Sequence, residues 1–553
     1  MDTLIETLKK SFKGEIAVDD ASLTKYSRDA SLFVVRPQVI VFPKDSADLK
    51  ILVTEVAKAK ASGMNISMTA RSAGTDMSGG PLTESIVVDF TKYFNKIIEI
   101  GADYAITQPG VYYRDFEKET LKKNLLMPSY PASRELCTVG GMVANNSGGE
   151  KTLLYGKVLD YVDEIKVILR DGEEYVVKPL NASELLAKKA LQTVEGELYR
   201  SLSSLIDANY DVLKKAKPQV SKNSAGYYLW EVFNKETGIF NLAKVIVGSQ
   251  GTLCFVTEIK YRLITPRTHS RLLVVFLKDM KELGHITNHL LQFKPESLES
   301  YDDHTFKLAV KLFPLMLKRM KGNVFSLMFK FLPEFWAVLT GGIPKLLLMA
   351  EFTAIDDAGA LQLATDAQKS LEEFHIPSRI TQSPQEVEKY WTIRRESFRM
   401  LREHIKNLRT APFIDDFVVK PEFLPEFLPK LYNILDKYPI TYTVAGHVGD
   451  GNFHIIPLMD MNDPKSVEYI GELAHTVNTL IFQYKGSMTG EHNDGIIRTP
   501  FLEQMYGHEI VALFAETKKI FDPAGIFNPG KKVGGTWEYA MAHLDVPKKV
   551  VSR

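Results

Sequence analysis

The chain has 553 residues, 45% of them apolar and 25% charged, with 68 basic and 68 acidic side chains. A single hydrophobic core stops growing at about 250–300 residues, so more than one domain is expected. Zero formal charge argues against nucleic acid as the main partner, and two cysteines, Cys137 and Cys254, supply neither a disulfide framework nor a four-thiolate iron–sulfur site, which reads as intracellular.

The N-terminal stretch MDTLIETLKKSFKGEIAVDD lacks the apolar core of a secretory signal and reads as a short amphipathic helix. From Pro37 strands and helices alternate. VRPQVIVFP is a strand, SADLKILVTEVAKAKASG a capped helix ending at Gly63, and MNISMTA a strand that runs into RSAGTDMSGGPL. SIVVDF, ADYAITQPG and YVDEIKVILRDGEEYVV follow, the last folded at DGE. KVIVGSQGTLCFVTEIKYRLI closes a first half near Pro266, and RLLVVFL opens a second. Residues 306–345 carry seven bases and one acid among many Phe, Leu and Met. That is how a peripheral membrane helix is written, and equally a helical cap packed on its domain. No uncharged apolar run reaches the ~20 residues of a membrane span.

Three loops are rich in small residues. RSAGTDMSGG lies between two strands, PASRELCTVGGMVANNSGGEKTLLYGKVLDYV pairs glycines at 140–141 and 148–149, and VGSQGTLCFVTEI repeats the theme. Successive backbone N–H groups in such loops bind anions, and glycine lets the backbone lie against an extended ligand. None has the spacing of a Rossmann or P-loop site. Further on, VAGHVGDGNFHIIP places two histidines around a turn. If GDGN forms that turn, His447 faces His454, close enough to share a metal.

These loops in order, with GEHNDG at 490–495 and FDPAGIFNPGK at 521–531, resemble the vanillyl-alcohol-oxidase and p-cresol-methylhydroxylase flavoprotein superfamily. The second half is similar to its D-2-hydroxy-acid dehydrogenase branch, with D-lactate dehydrogenases and the flavin subunit of glycolate oxidase. The resemblance implies an α+β, two-domain chain: an N-terminal helical segment at 1–34, a PCMH-type FAD-binding domain at 35–266, a mixed α/β substrate and metal domain at 267–535, and a tail at 536–553. It implies FAD held by Arg71, Ser72, Ala73, Gly74, Thr75, Asp76 and Ser78, then by Ser133, Thr138, Gly140, Gly141, Asn145 and Gly148. Gly251, Thr252 and Asn528 complete the set. The first loop has no histidine to tether the flavin, so FAD is expected to be non-covalent. Ile456 and Asn493 depart from the family pattern, which bears on the substrate more than on the reaction.

The implied reaction is oxidation of a D-2-hydroxy acid, D-lactate first, with glycolate or longer acids as alternatives. Zinc, manganese or iron on His447, His454 and Glu491 binds the hydroxyl, and His492 serves as base. Arg394, in WTIRRESFR, corresponds to a residue that contacts substrate and suits a carboxylate. Asp415 and Asp416 have no assigned role, and His269, His285, His289, His304 and His375 read as structural. Electrons pass to a quinone, a cytochrome or a separate iron–sulfur subunit. The expected location is cytoplasmic, peripheral to the inner face of the membrane if 306–345 binds lipid. A zinc hydrolase is the rival reading, and it leaves the three glycine loops unexplained.

Overall fold

The computed structural model describes residues 1–303, 305, 343–383, 385–388, 390–392, 394 and 408–546. The membrane-or-cap segment at 306–345 therefore lies outside the described residues except at its last three positions, as do His304, Arg395 and Arg399.

The first half contains two large sheets and the short pair Phe233–Asn234 with Ile239–Phe240. In one, strands Glu15–Ala17, Val39–Phe42, Ile86–Asp89 and Met68–Arg71 lie in that order, the last three parallel. The crossover helix Ser46–Ala61 starts where the Asp45 carboxylate accepts the Asp48 N–H, and it buries Leu49, Leu52, Val53 and Val56. Those positions recur at helical spacing and form one apolar stripe. The other sheet orders Ile97–Ile100, Tyr104–Thr107, Phe255–Arg262, Val162–Ile168 and Glu174–Val177, all antiparallel. The DGE hairpin is present, joining the last two.

The second half is built on a seven-stranded antiparallel sheet ordered Ser378–Ile380, His269–Leu277, Leu346–Ala354, Ser297–Asp302, Val444–His447, Asn452–Ile455 and Phe417–Val418. Helices Leu283–Leu291, Asp357–Ser370, Leu424–Leu435 and Pro464–Gln483 pack apolar side chains into one core with this sheet. The chain then returns to the first half. Helix His508–Phe521 buries Ile510, Phe514 and Phe521 in the core of the five-stranded sheet, and Phe527 bridges Met68 at the edge of the parallel one.

The histidine hairpin differs from the expected register. Val448–Asp450 forms one 3-10 turn and Gly451 turns left-handed at φ +66°, so Ala445 opposes His454 and His447 opposes Asn452. The loop is still four residues long but begins one residue earlier, at Val448, and Asn452 joins the strand opposite His447. The two histidines are diagonal rather than directly opposed, yet they still share a face of the pleat.

Gly451 is a place where no other residue fits. A Cβ there would lie 1.8 Å from the Val419 carbonyl oxygen. The left-handed backbone alone costs an L-residue about 1–2 kcal/mol, so Gly451→Ala is expected to lower the thermal midpoint by several degrees. Calorimetry of the variant checks this, and an unchanged midpoint contradicts it.

Candidate active site

A cavity of about 680 Å³ lies where the two halves meet, within the range of pockets that hold a cofactor with its substrate. From the first loop Arg71, Ser72, Gly74, Thr75 and Asp76 line it. Ser133, Thr138, Gly140, Gly141 and Asn145 line it from the second, and Gly251 from the third.

Hydrogen bonds between loops fix their shape. Ser72 Oγ and Thr138 Oγ1 are 2.7 Å apart, and Thr138 caps the helix Val139–Asn145. Asp76 accepts the Gly80 N–H at 2.6 Å and the Asn145 amide at 3.2 Å. The Arg71 guanidinium donates to the carbonyls of Tyr26 and Arg28, which locks the loop to the N-terminal segment.

The other predicted flavin residues lie behind this surface. Ser78 is buried against Asp76 and Gln250, and Thr252 against the Tyr227 hydroxyl. Asn528 takes the Thr69 hydroxyl and donates to the carbonyls of Gly80 and Gln250, tying first loop to third. A Cβ on Gly148 would sit 3.3 Å from a Glu491 oxygen. Ala73 does not line the cavity among the described residues.

These residues fit FAD. Small side chains let a pyrophosphate approach the backbone closely, as anion-binding loops require. A Cβ on Gly141 would project to 3.3 Å from Ser72 Oγ, into the cradle between the two loops.

At the far end of the same cavity stand His447, His454, Glu491 and His492. His447 and His454 rings meet edge to face with centroids 5.3 Å apart, and His454 stacks on His492 at 5.1 Å. Each imidazole has Nδ1 against a carboxylate. His447 reaches Glu299 at 2.5 Å and His454 reaches Asp415 at 3.1 Å, while His492 makes a 2.7 Å ion contact with Asp415 rather than an aligned hydrogen bond. Carboxylates on one nitrogen leave Nε2 for a metal or substrate, the usual outer shell of metal-ligating histidines. Ligand atoms of His447, His454 and Glu491 lie within 4.8 Å of one another, as do those of Asp415, His454 and His492, and of Asp416, Glu491 and His492.

Charge states follow from burial and neighbours. Burial, reinforced by Lys222, pushes His447 well below the ordinary imidazole range and favours the neutral ring. Burial raises Glu491, but Lys222, His447 and His454 outweigh it and bring the carboxyl to about 2. Burial likewise lowers His492, and the Asp416 and Asp415 carboxylates overcome it, raising the imidazole to about 9.

Several contributors carried no signal in the sequence. Lys222 is fully buried with Nζ 2.6 Å from Glu491, 3.0 Å from Asp450 and 3.3 Å from the Gly149 carbonyl. Glu299 joins His447 to Arg394, whose Nε and one terminal nitrogen lie 3.1 and 2.9 Å from its other oxygen. Asp416 accepts the backbone N–H groups of both Glu491 and His492. His269, His285, His289 and His375 take no part in these clusters.

Two family models match the chain: "FAD binding domain" over residues 37–178 and "FAD linked oxidases, C-terminal domain" over 266–532. The chain thus carries the two domains of the FAD-linked oxidases, in a PCMH-type FAD-binding fold. It is 27% identical to a D-2-hydroxyglutarate dehydrogenase of Pseudomonas putida, matching 95% of this chain and 51% of that one, so it spans about half of that relative's length. It is 24% identical to a D-lactate dehydrogenase of Archaeoglobus fulgidus, over 90% of this chain and 91% of that one. Its fold is that of p-cresol methylhydroxylase with substrate bound, at 13% identity and TM-score 0.67 over 96% of both chains.

The Gly141 cradle gives a graded expectation. Gly141→Ala is expected to keep FAD and Gly141→Val to lose it, since the larger side chain fills the space between Ser72 and Thr138. Flavin absorbance per chain after gel filtration measures this, and a Val variant that retains full flavin contradicts it.

Proposed function

We propose that the protein oxidises a D-2-hydroxy acid to the 2-oxo acid. One observation carries the reading: a single cavity is lined both by loops of the FAD binding domain and by His447, His454, Glu491 and His492. The hydrolase alternative accounts for the imidazoles and leaves the flavin loops beside them without a purpose.

Oxidation removes a hydride from C2 and a proton from its hydroxyl, and the C2–O bond becomes a carbonyl. Bound FAD supplies the hydride acceptor. His447, His454 and Glu491 would hold a divalent metal, which would supply Lewis-acid chemistry next to the substrate hydroxyl. His447 is neutral and Glu491 ionised, the states a metal ligand needs. His492 takes the hydroxyl proton, and Asp415 orients its ring. The raised pKa of His492 means it holds a proton when no cation is near. His454 and Glu491 would hold a divalent cation next to His492, and like-charge repulsion there would disfavour the imidazolium. Arg394 presents its guanidinium to the substrate carboxylate while Glu299 fixes its orientation. We infer that electrons leave for a quinone, a cytochrome or an iron–sulfur centre outside these 553 residues, whose two cysteines supply no four-thiolate set.

The roles separate by substitution. His454→Ala is expected to lose metal and turnover while keeping FAD. His492→Ala is expected to keep metal and FAD, yet to slow flavin reduction by substrate by about 10²–10⁴-fold, the usual worth of a general base. Metal analysis beside anaerobic flavin bleaching tests both. A His492→Ala enzyme that bleaches at the normal rate removes His492 as base, and a metal-free wild type with full activity removes the metal.

A further inference from the structure

The histidine hairpin presents a graded surface to the cavity. Ala445 opposes His454 and Val444 opposes Ile455, so continuing the same register puts Thr443 opposite Ile456. Alternate side chains share a face, and Thr443, Ala445, His447, His454 and Ile456 all line the cavity. The imidazoles occupy the end near the turn. Beyond them the face carries a methyl, a threonine and a branched aliphatic chain, and Trp391, 4% exposed, lines the same space.

Cations facing this cavity are few and engaged among the described residues. Arg71 donates to two backbone carbonyls of the N-terminal segment. Arg134 lies over the Tyr130 ring with Glu117 and Glu135 each 3.7 Å away. Arg394, although Nε and one terminal nitrogen face Glu299, is the cation assigned to the carboxylate next to C2. A second carboxylate on the substrate's other end would meet Ile456 and Trp391, losing its hydration without a counter-ion among the described residues.

We propose that the substrate's C2 substituent is apolar, so that the site selects 2-hydroxy monocarboxylic acids with an aliphatic side chain over 2-hydroxy dicarboxylic acids, with Ile456 and Trp391 forming the side-chain wall. This rests on the 2-hydroxy-acid reading above and deepens it. Burying one methylene in an apolar pocket is worth roughly 10–200-fold in specificity, so a branched four-carbon side chain is read out easily.

The test mixes anaerobic flavin-loaded protein with D-lactate, D-2-hydroxy-4-methylpentanoate and D-2-hydroxyglutarate, following the rate of flavin bleaching against concentration. The methylpentanoate is expected to exceed the glutarate in kcat/KM by at least about tenfold. Ile456→Arg is expected to invert that order while retaining FAD. Binding of the 2-oxo acid products to the oxidised protein, read as a shift in the flavin spectrum, is expected to follow the same ranking without turnover. Faster bleaching by the glutarate, or an Ile456→Arg variant with the wild-type ranking in both rates and binding, overturns the wall. Bleaching by dithionite but by none of the three acids overturns the parent reading, and the wall with it.

Discussion

The site depends on one buried carboxylate, that of Asp416. Its backbone is left-handed at φ +72° and its side chain is fully enclosed. One oxygen accepts the Thr489 hydroxyl at 2.6 Å, the Glu491 N–H at 2.9 Å and the His492 N–H at 2.7 Å, while the other accepts the Asn452 amide at 3.1 Å. Burial alone would push its pKa up, yet the imidazoles of His492 and His454 and the Arg498 guanidinium hold it well below the ordinary carboxylate range. A carboxylate accepting several N–H bonds stays ionised in this way. The consequence is geometric. Glu491 and His492 are neighbours in sequence, and the bend that Asp416 imposes lets both line one cavity.

The two halves are joined at the same place. Asn493, also left-handed, donates to the carbonyls of Asn145 and Gly248, binding the GEHN segment to the second and third flavin loops. Lys222 ties the Gly149 carbonyl to Glu491 and to the hairpin turn through Asp450. Lys532 spans the Ser224 and Gly226 carbonyls and Asp494. Breaking a buried pair by removing one partner costs about 3–5 kcal/mol, so these contacts hold the imidazole cluster in fixed relation to the flavin loops. Preorganisation of this kind is what hydride transfer from a bound substrate requires.

Much of this was legible in the sequence because period and residue type carry it. Alternating apolar runs located the strands, small residues located the flavin loops, and H-x6-H with GEH located the cluster. What burial creates was hidden. Lys222, Glu299 and Asp450 are ordinary charged residues in the sequence, and only enclosure turns them into partners of Glu491 and His447. Asp415 and Asp416 stood as an unassigned acidic pair until the fold set one against the imidazole rings and the other against backbone N–H groups. The hairpin register was missed because GDGN looks like the four-residue turn, whereas the hydrogen bond from the Gly451 N–H to the Val448 carbonyl makes VGDG the loop and leaves Asn452 to the strand. Asn528, expected to hold FAD, is fully buried and spends its amide on joining the first and third loops.

The central claim is that a substrate C2–H bond is broken at the flavin within the cavity shared by the two halves. The most direct measurement is anaerobic single-turnover flavin reduction by a D-2-hydroxy acid, protiated against deuterated at C2. The account predicts stoichiometric bleaching that slows severalfold with deuterium. Bleaching at equal rates for the two isotopologues, or none where dithionite still reduces the flavin, would contradict it.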